Sequence, residues 1–178
     1  MYVDNYRKLI LKVIGLYIYF YLYVYNYIMR VVLQRVTQAT VEIDKVIHSH
    51  IDQGILILLG IEETDSLQDA DWLTGKIAAM RIFSDAEGKM NLPVQDVNGN
   101  FLVVSQFTLH ASTKKGNRPS YIKAARPETA IPLYEYFLKQ LEVQSGRSVM
   151  SGIFGADMQV HLTNDGPVTI FIDSKNKE

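Results

Sequence analysis

The chain contains no cysteine, which excludes thiol nucleophiles, disulfides and cysteine-ligated zinc. A reducing compartment is compatible with that absence. There is no Walker-type phosphate loop, no dinucleotide fingerprint and no G-x-S-x-G nucleophile elbow, so nucleotide hydrolases, dinucleotide oxidoreductases and serine hydrolases of the elbow type have no foothold. Positive charge is not in excess either: 18 basic residues meet 19 acidic ones. Without residues 1–28, which hold Arg7, Lys8, Lys12 and Asp4, the balance is 15 against 18. A globally acidic body is not a general nucleic-acid binder, and any contact with RNA must come from a local patch. Of the four histidines, His48 and His50 share one face of an expected strand. No third ligand accompanies them, so no metal and no cofactor is expected.

What is present divides the chain unevenly. Residues 1–28 carry eight of the 11 tyrosines, and between Leu9 and Ile28 only Lys12 is charged. The run is long enough for a membrane helix, and the basic residues ahead of it resemble a signal-peptide start. Against both stand the tyrosines spread along the run, the lack of a small-residue cleavage site and a strand-like alternation from Tyr17 to Tyr27. Three readings stay open: upstream sequence translated ahead of a true start at Met29, a targeting or anchor segment, or part of the domain. The expected organisation is a 1–28 extension outside the domain and a single domain over 29–178.

In that body, Val31, Leu33, Val36, Val41 and Ile43 alternate as a strand, Val46 to Ile51 follows a turn at Asp44-Lys45, and Ile55 to Leu59 reads as a strand buried on both faces. These three segments predict an antiparallel meander. Ser66 and Asp69 form a capping-box pattern ahead of Ala70, Leu73, Ile77 and Met80, which predicts a helix ending near Phe83. Asn98-Gly99 is a hairpin signal before the strand Phe101 to Val104. Residues 110–127 read as a loop holding Lys114, Lys115, Arg118, Lys123 and Arg126 and no acid, a candidate phosphate contact or a merely solvated face. A second helix from about Glu128 tolerates Pro132 if that residue falls in the first turn; its stripe is Ile131, Tyr134, Leu138 and Leu141, with Phe137 beside it. The runs Met158 to Leu162 and Val168 to Ile172 flank Asn164-Asp165-Gly166-Pro167, which reads locally as a turn between two strands. The class is α+β with mostly antiparallel sheet and two helices.

Two strings carry more than local structure. Ser105-Gln106-Phe107-Thr108-Leu109 ends one strand signal, and Asn164-Asp165-Gly166-Pro167-Val168-Thr169 separates two others. With Met29 to Val36, Gly88-Lys89-Met90-Asn91, Arg118-Pro119-Ser120-Tyr121 and Gly152 to Met158, they make the chain from Met29 onward resemble a D-aminoacyl-tRNA deacylase. The ordered set spans nearly all of residues 29–178.

The resemblance implies a layered α/β/β fold, a cytoplasmic location and a homodimer with shared sites. It implies hydrolysis of the ester that joins a D-amino acid, or glycine, to the acceptor end of tRNA. Its Gly166-Pro167 bond is expected to be cis, and the backbone there, with Asn164 beside it, would exclude an L-side chain in the partner's site. The neighbouring 2′-hydroxyl of the RNA is expected to assist catalysis. Ser105, Gln106, Phe107 and Thr108 form the candidate catalytic stretch, with backbone N–H groups near Phe107 and Thr108 steadying an oxyanion. Thr108 is a candidate nucleophile only if a base such as His110 lies within reach. Lys114, Lys115 and Arg118 are candidate phosphate contacts. No DNA is required, and no membrane partner is expected unless residues 1–28 are a genuine anchor. The competing class is a nucleic-acid-binding protein on the same scaffold without hydrolysis.

Overall fold

The computed structural model describes residues 29–176. The readings made for residues 1–28 lie outside the described residues. The strands are β1 (Arg30–Ile43), β2 (Val46–Ile51), β3 (Gly54–Gly60), β4 (Phe83–Ser84), β5 (Met90–Leu92), β6 (Asn100–Ser105), β7 (Val149–Ser151) and β8 (Gln159–Asp173). The helices are α1 (Leu67–Ala78) and α2 (Pro127–Ser145), and one 3-10 turn spans Phe107–His110.

The long strand β1 organises the sheet. One edge pairs antiparallel first with β3 and then with β2; the other pairs antiparallel with β8 from Arg30 to Glu42. The meander expectation is therefore corrected: β2 and β3 both flank β1 and do not pair with each other. β3 pairs parallel with β6, and β6 parallel with β7, so the sheet is mixed at that end. Asn98-Gly99 does not close a hairpin. Asn98 takes φ 54° in a turn that delivers the chain to β6, whose neighbour is β3.

Two apolar clusters account for the layers. Val31, Leu33, Ile55, Ile57, Phe101 and Val103 bury one sheet face under Leu73 and Ile77 of α1 and Leu133, Phe137 and Leu141 of α2. Each fully buried large side chain contributes about 1.5–3 kcal/mol. Beyond the β1 bend, Val36, Ala39, Val41 and Ile51 pack on Leu56, Leu102 and Val104 from the opposite side. The order is helices, sheet, second β-layer, which is the expected α/β/β arrangement.

The α1 start follows the sequence: Ser66 N–H donates to Asp69 Oδ2 at 3.0 Å in a capping box. The helix stops at Ala78 rather than near Phe83, because Arg35 takes the Ile82 carbonyl at 2.6 Å and Phe83 pairs with Leu92. In α2 the buried positions are Ala130, Leu133, Tyr134, Phe137, Leu141 and Ser145; Ile131 is exposed. Pro132 lies past the first turn, since Pro127 is already helical, so the Glu128 carbonyl lacks its usual donor.

Candidate active site

Parallel pairing of β3 and β6 ends at Leu59 and Ser105, and Gln106 N–H closes it onto the Leu59 carbonyl at 2.7 Å. The chain then leaves the sheet in the Phe107–His110 turn. The turn is seated on Gly60. A Cβ there would stand 2.9 Å from Leu109 Cβ, 3.0 Å from His110 Nε2 and 3.1 Å from the Gln106 carbonyl oxygen, so only a bare backbone admits the turn. The first N–H groups of a helical turn lack internal partners. Among the described residues none accepts a hydrogen bond from the backbone N–H of Phe107 or Thr108.

Beside these donors lies a cavity of about 300 Å³, lined by Ser105, Gln106 and Phe107 on one side and by Phe154 to Met158 on the other. The strand continuation that would have put Thr108 and His110 on one face does not occur. Thr108 Oγ1 instead accepts from Gln106 Nε2 at 2.5 Å. His110 is 2% exposed, and among the described residues neither ring nitrogen has a hydrogen-bond partner of good geometry. Burial pushes its pKa down, the Gly60 backbone offsets this in part, and the Arg30 charge adds to the fall. A buried imidazole without a bond to Thr108 is not its base.

Phe107 is 56% exposed, and its ring meets Tyr121 edge-on with centroids 5.1 Å apart. Tyr121 ties the turn to the cationic loop. Ser112 and Ser120 exchange backbone hydrogen bonds of 2.8 and 2.9 Å, which pinches residues 113–119 into a projecting tip. Of the five cations, Lys123 stands 3.8 Å from Glu62, and the backbone N–H of Arg126 donates to Glu63 at 2.9 Å. Lys114, Lys115 and Arg118 sit exposed on the tip, without an ion-pair partner among the described residues.

The Gly-Pro stretch does not turn the chain between two strands. β8 runs through it: Thr169 faces Gln34 and Asn164 faces Val36, so two steps along β1 match five along β8. The surplus residues form a bulge whose tip, Gly166-Pro167, is exposed. The bond is cis and Gly166 has φ 128°. Asn164 clasps the bulge, accepting from Val168 N–H at 2.8 Å and donating to Thr169 Oγ1 at 3.0 Å. Buried Arg35 backs it, with Nε 3.0 Å from the Asp165 carbonyl oxygen and 3.0 Å from Asp165 Oδ2.

The two motifs do not meet within one chain. Ser105 is level with Leu59, Val31 and Ile172, whereas Gly166 is level with Arg35. Three strand spacings and four residues separate them, on the order of 20 Å. His48 and His50 take no part in the site. His50 binds Thr40 at 2.9 Å and Asp52 at 3.1 Å, and no metal-ligating group of three or more occurs among the described residues.

A family model described as D-Tyr-tRNA(Tyr) deacylase matches residues 32–173. The chain belongs to that family. The deacylase is 61% identical over 145 residues to a D-aminoacyl-tRNA deacylase of Flavobacterium johnsoniae, with 82% of this chain and 97% of that one covered. It is 63% identical over 145 residues, with the same coverage, to a D-aminoacyl-tRNA deacylase of Porphyromonas gingivalis. A solved structure described as a c-Myc DNA Unwinding Element Binding Protein superposes with TM-score 0.75 at 40% identity, covering 80% of this chain and 97% of that chain. By family the enzyme is a hydrolase.

Several residues that hold the two motifs in place carry little or no sign in the sequence. Arg35 falls in phase with Val31 and Leu33, both fully buried. A charged residue at an inward position of an alternating strand was the available signal. Gly60, the seat of the turn, and Arg30, which reaches the Leu109 carbonyl at 3.1 Å, had no local signal.

Proposed function

We propose that the enzyme hydrolyses the ester of D-aminoacyl-tRNA, and of glycyl-tRNA, in the cytoplasm, and thereby removes mischarged amino acids before translation uses them. The observation that carries this reading is the pair of unclaimed N–H groups at Phe107 and Thr108 beside the cavity. Water adds to the ester carbonyl carbon, and the oxygen that becomes negative is held by those two donors. The carbonyl carbon–ribose oxygen bond then breaks, and the ribose oxygen takes the proton. An aminoacyl ester is already activated, so positioning and oxyanion contact supply most of what is needed. The RNA 2′-hydroxyl is the proton-handling group: Thr108 has no base bonded to it, and Asp157 is the one carboxylate in the cavity lining.

The exposed Gly166-Pro167 bulge is the chiral screen, acting in the site of a second copy. Its distance from Phe107 within one chain supports a homodimer in which each bulge completes the other's site. A backbone wall rejects an L-side chain by exclusion, which discriminates more strongly than one methylene's worth of pocket fit, about 1–3 kcal/mol. Glycine has no side chain to reject and is hydrolysed too. Lys114, Lys115 and Arg118 hold phosphates near the acceptor end.

The test is a paired assay of D-tyrosyl-tRNA and L-tyrosyl-tRNA with the purified full chain, its mass in solution measured alongside. Rapid loss of the D ester with the L ester spared supports the reading; equal rates on both overturn the screen. Substrate ending in 2′-deoxyadenosine should react far more slowly.

A second reading is nucleic-acid binding without hydrolysis. It is favoured by the description of the 40% identical structure as a DNA-unwinding-element binding protein. Salt-sensitive RNA or DNA binding with no turnover of either ester would support it. No helix among the described residues is long and apolar enough to cross a membrane.

A further inference from the structure

We propose that the ion pair between Arg30 and Asp173 is the strut that sets the height of the Phe107–His110 turn, making both of them positioning residues for the hydrolysis. This rests on the reading of the turn as the oxyanion contact. The observations are a row of three residues and one carbonyl. Asp173, Arg30 and Gly60 stand side by side across β8, β1 and β3. Gly60 is the bare seat on which the turn rests. From the middle of the row, Arg30 Nη1 donates to the Leu109 carbonyl at 3.1 Å, and its Nε is held 3.0 Å from Asp173 Oδ2. The Asp173 side chain is 12% exposed and that of Arg30 is 27% exposed.

The chemistry of a helical end explains why this contact matters. The last carbonyls of a turn have no internal donor, just as its first N–H groups have no internal acceptor. Here the carbonyl end is taken by a guanidinium, and at the other end the N–H groups of Phe107 and Thr108 have no partner among the described residues, with Phe107 lining the cavity. A charge-assisted bond at one end therefore fixes where the donors point at the other. The other Asp173 oxygen, Oδ1, accepts from Lys175 N–H at 3.0 Å, so the carboxylate is itself fixed from two sides. Gly60 sets how close the turn sits, and Arg30 stops it from lifting. Neither Arg30 nor Asp173 lines the cavity.

The strut acts through the turn, so its loss should lower kcat while leaving KM alone. In Arg30→Met, kcat on D-tyrosyl-tRNA should fall roughly 10- to 100-fold, the scale of a misplaced reacting group, with KM within about twofold. Arg30→Lys, which keeps the charge but not the fork, should recover part of the loss. Asp173→Asn keeps an acceptor and is the milder second variant should Arg30→Met fold poorly; a smaller kcat loss in the same direction is expected. Amide exchange at Leu109 and Ala111 supplies a readout that needs no turnover. Faster exchange at those two amides with β1, β3 and β6 unchanged supports the strut, even if the wild-type chain hydrolyses neither ester and the functional reading fails. Unchanged exchange in the turn together with wild-type kcat overturns it, as does a loss confined to KM.

Discussion

Arg35 Nη2 lies 2.9 Å from the point where a Cβ on Gly166 would stand, and Val168 Cγ2 lies at the same distance. The arginine cannot yield freely: its Nε holds Asp165 and its Nη1 donates to the Ile82 carbonyl at 2.6 Å. Gly166 also has φ 128°, where an L side chain is strained. Gly166→Ala should therefore displace the tip of the bulge without unfolding the domain. Stability should fall by about 1–3 kcal/mol, as thermal unfolding would show. Deacylation of D-tyrosyl-tRNA should fall about 100-fold or more, because a shift near 1 Å is enough for that. A wild-type rate in a folded Gly166→Ala variant would remove the bulge from the site.

Thr108→Ala separates backbone from side-chain chemistry. The hydroxyl accepts a hydrogen bond from Gln106 Nε2, and the nearest histidine in sequence, His110, is buried and makes no bond to it. With no base attached, Thr108 is a poor nucleophile. Activity in Thr108→Ala should stay within about tenfold of wild type, a loss ascribable to one missing hydrogen bond that orders Gln106. Abolished turnover in a folded dimer would restore the nucleophile. Single-turnover rates at saturating enzyme would distinguish these outcomes.

Replacing Lys114, Lys115 and Arg118 together by alanine should raise KM and flatten its dependence on salt. The three sit on the tip pinched off by Ser112 and Ser120, and no carboxylate among the described residues neutralises them. Every phosphate of a single-stranded end that is no longer neutralised lowers the slope of log affinity against log salt by about 0.7. The same change at Lys123, which already faces Glu62, should do less. An unaltered KM and slope in the triple variant would leave the tip merely solvated.

How much of this was legible in the sequence depends on whether the cause was local. The capping box at Ser66 and Asp69 is written within four residues, and it forms as expected. The strand alternation from Val31 to Leu33 likewise needs only its own side chains. Gly166-Pro167 misled because its surroundings in the chain say turn, whereas pairing with β1 keeps the strand running and throws the surplus into a bulge. Thr108 and His110 misled similarly: the seat on Gly60 curls the chain out of the sheet just after Ser105. The cationic loop lacks acids in sequence but borrows Glu62 and Glu63 from elsewhere. The ordered motifs carried the family; of the residues that hold those motifs in place, Arg35 was marked only by its inward phase, and Arg30 and Gly60 became visible only with the register.

The last prediction concerns pH and rests on Asp65. Its side chain is nearly buried at the entrance to α1, where Oδ2 accepts from Glu62 N–H at 2.7 Å and Oδ1 has no partner among the described residues. Burial is the main cause that pushes its pKa up from 3.8 to about 7, and the charges of Asp69 and Glu62 push the same way. The Glu62 hydrogen bond and the Lys175 charge oppose them without prevailing. A raised carboxyl pKa means that the folded state holds a proton which the unfolded state has lost between pH 3.8 and about 7. Its contribution to stability is therefore full below the unfolded value and drains away as pH rises toward about 7. Asp65→Asn keeps an acceptor for Glu62 N–H and removes the titration. The variant should be close to wild type in thermal stability at about pH 4 and more stable at pH 8 by roughly 3 °C or more, given the usual 2–4 °C per kcal/mol for a chain of this size. The difference should grow across the interval from 3.8 to about 7 and then level off. An equal gap at about pH 4 and pH 8 would mean that Asp65 ionises normally in the folded protein, with Lys175 rather than burial deciding its charge.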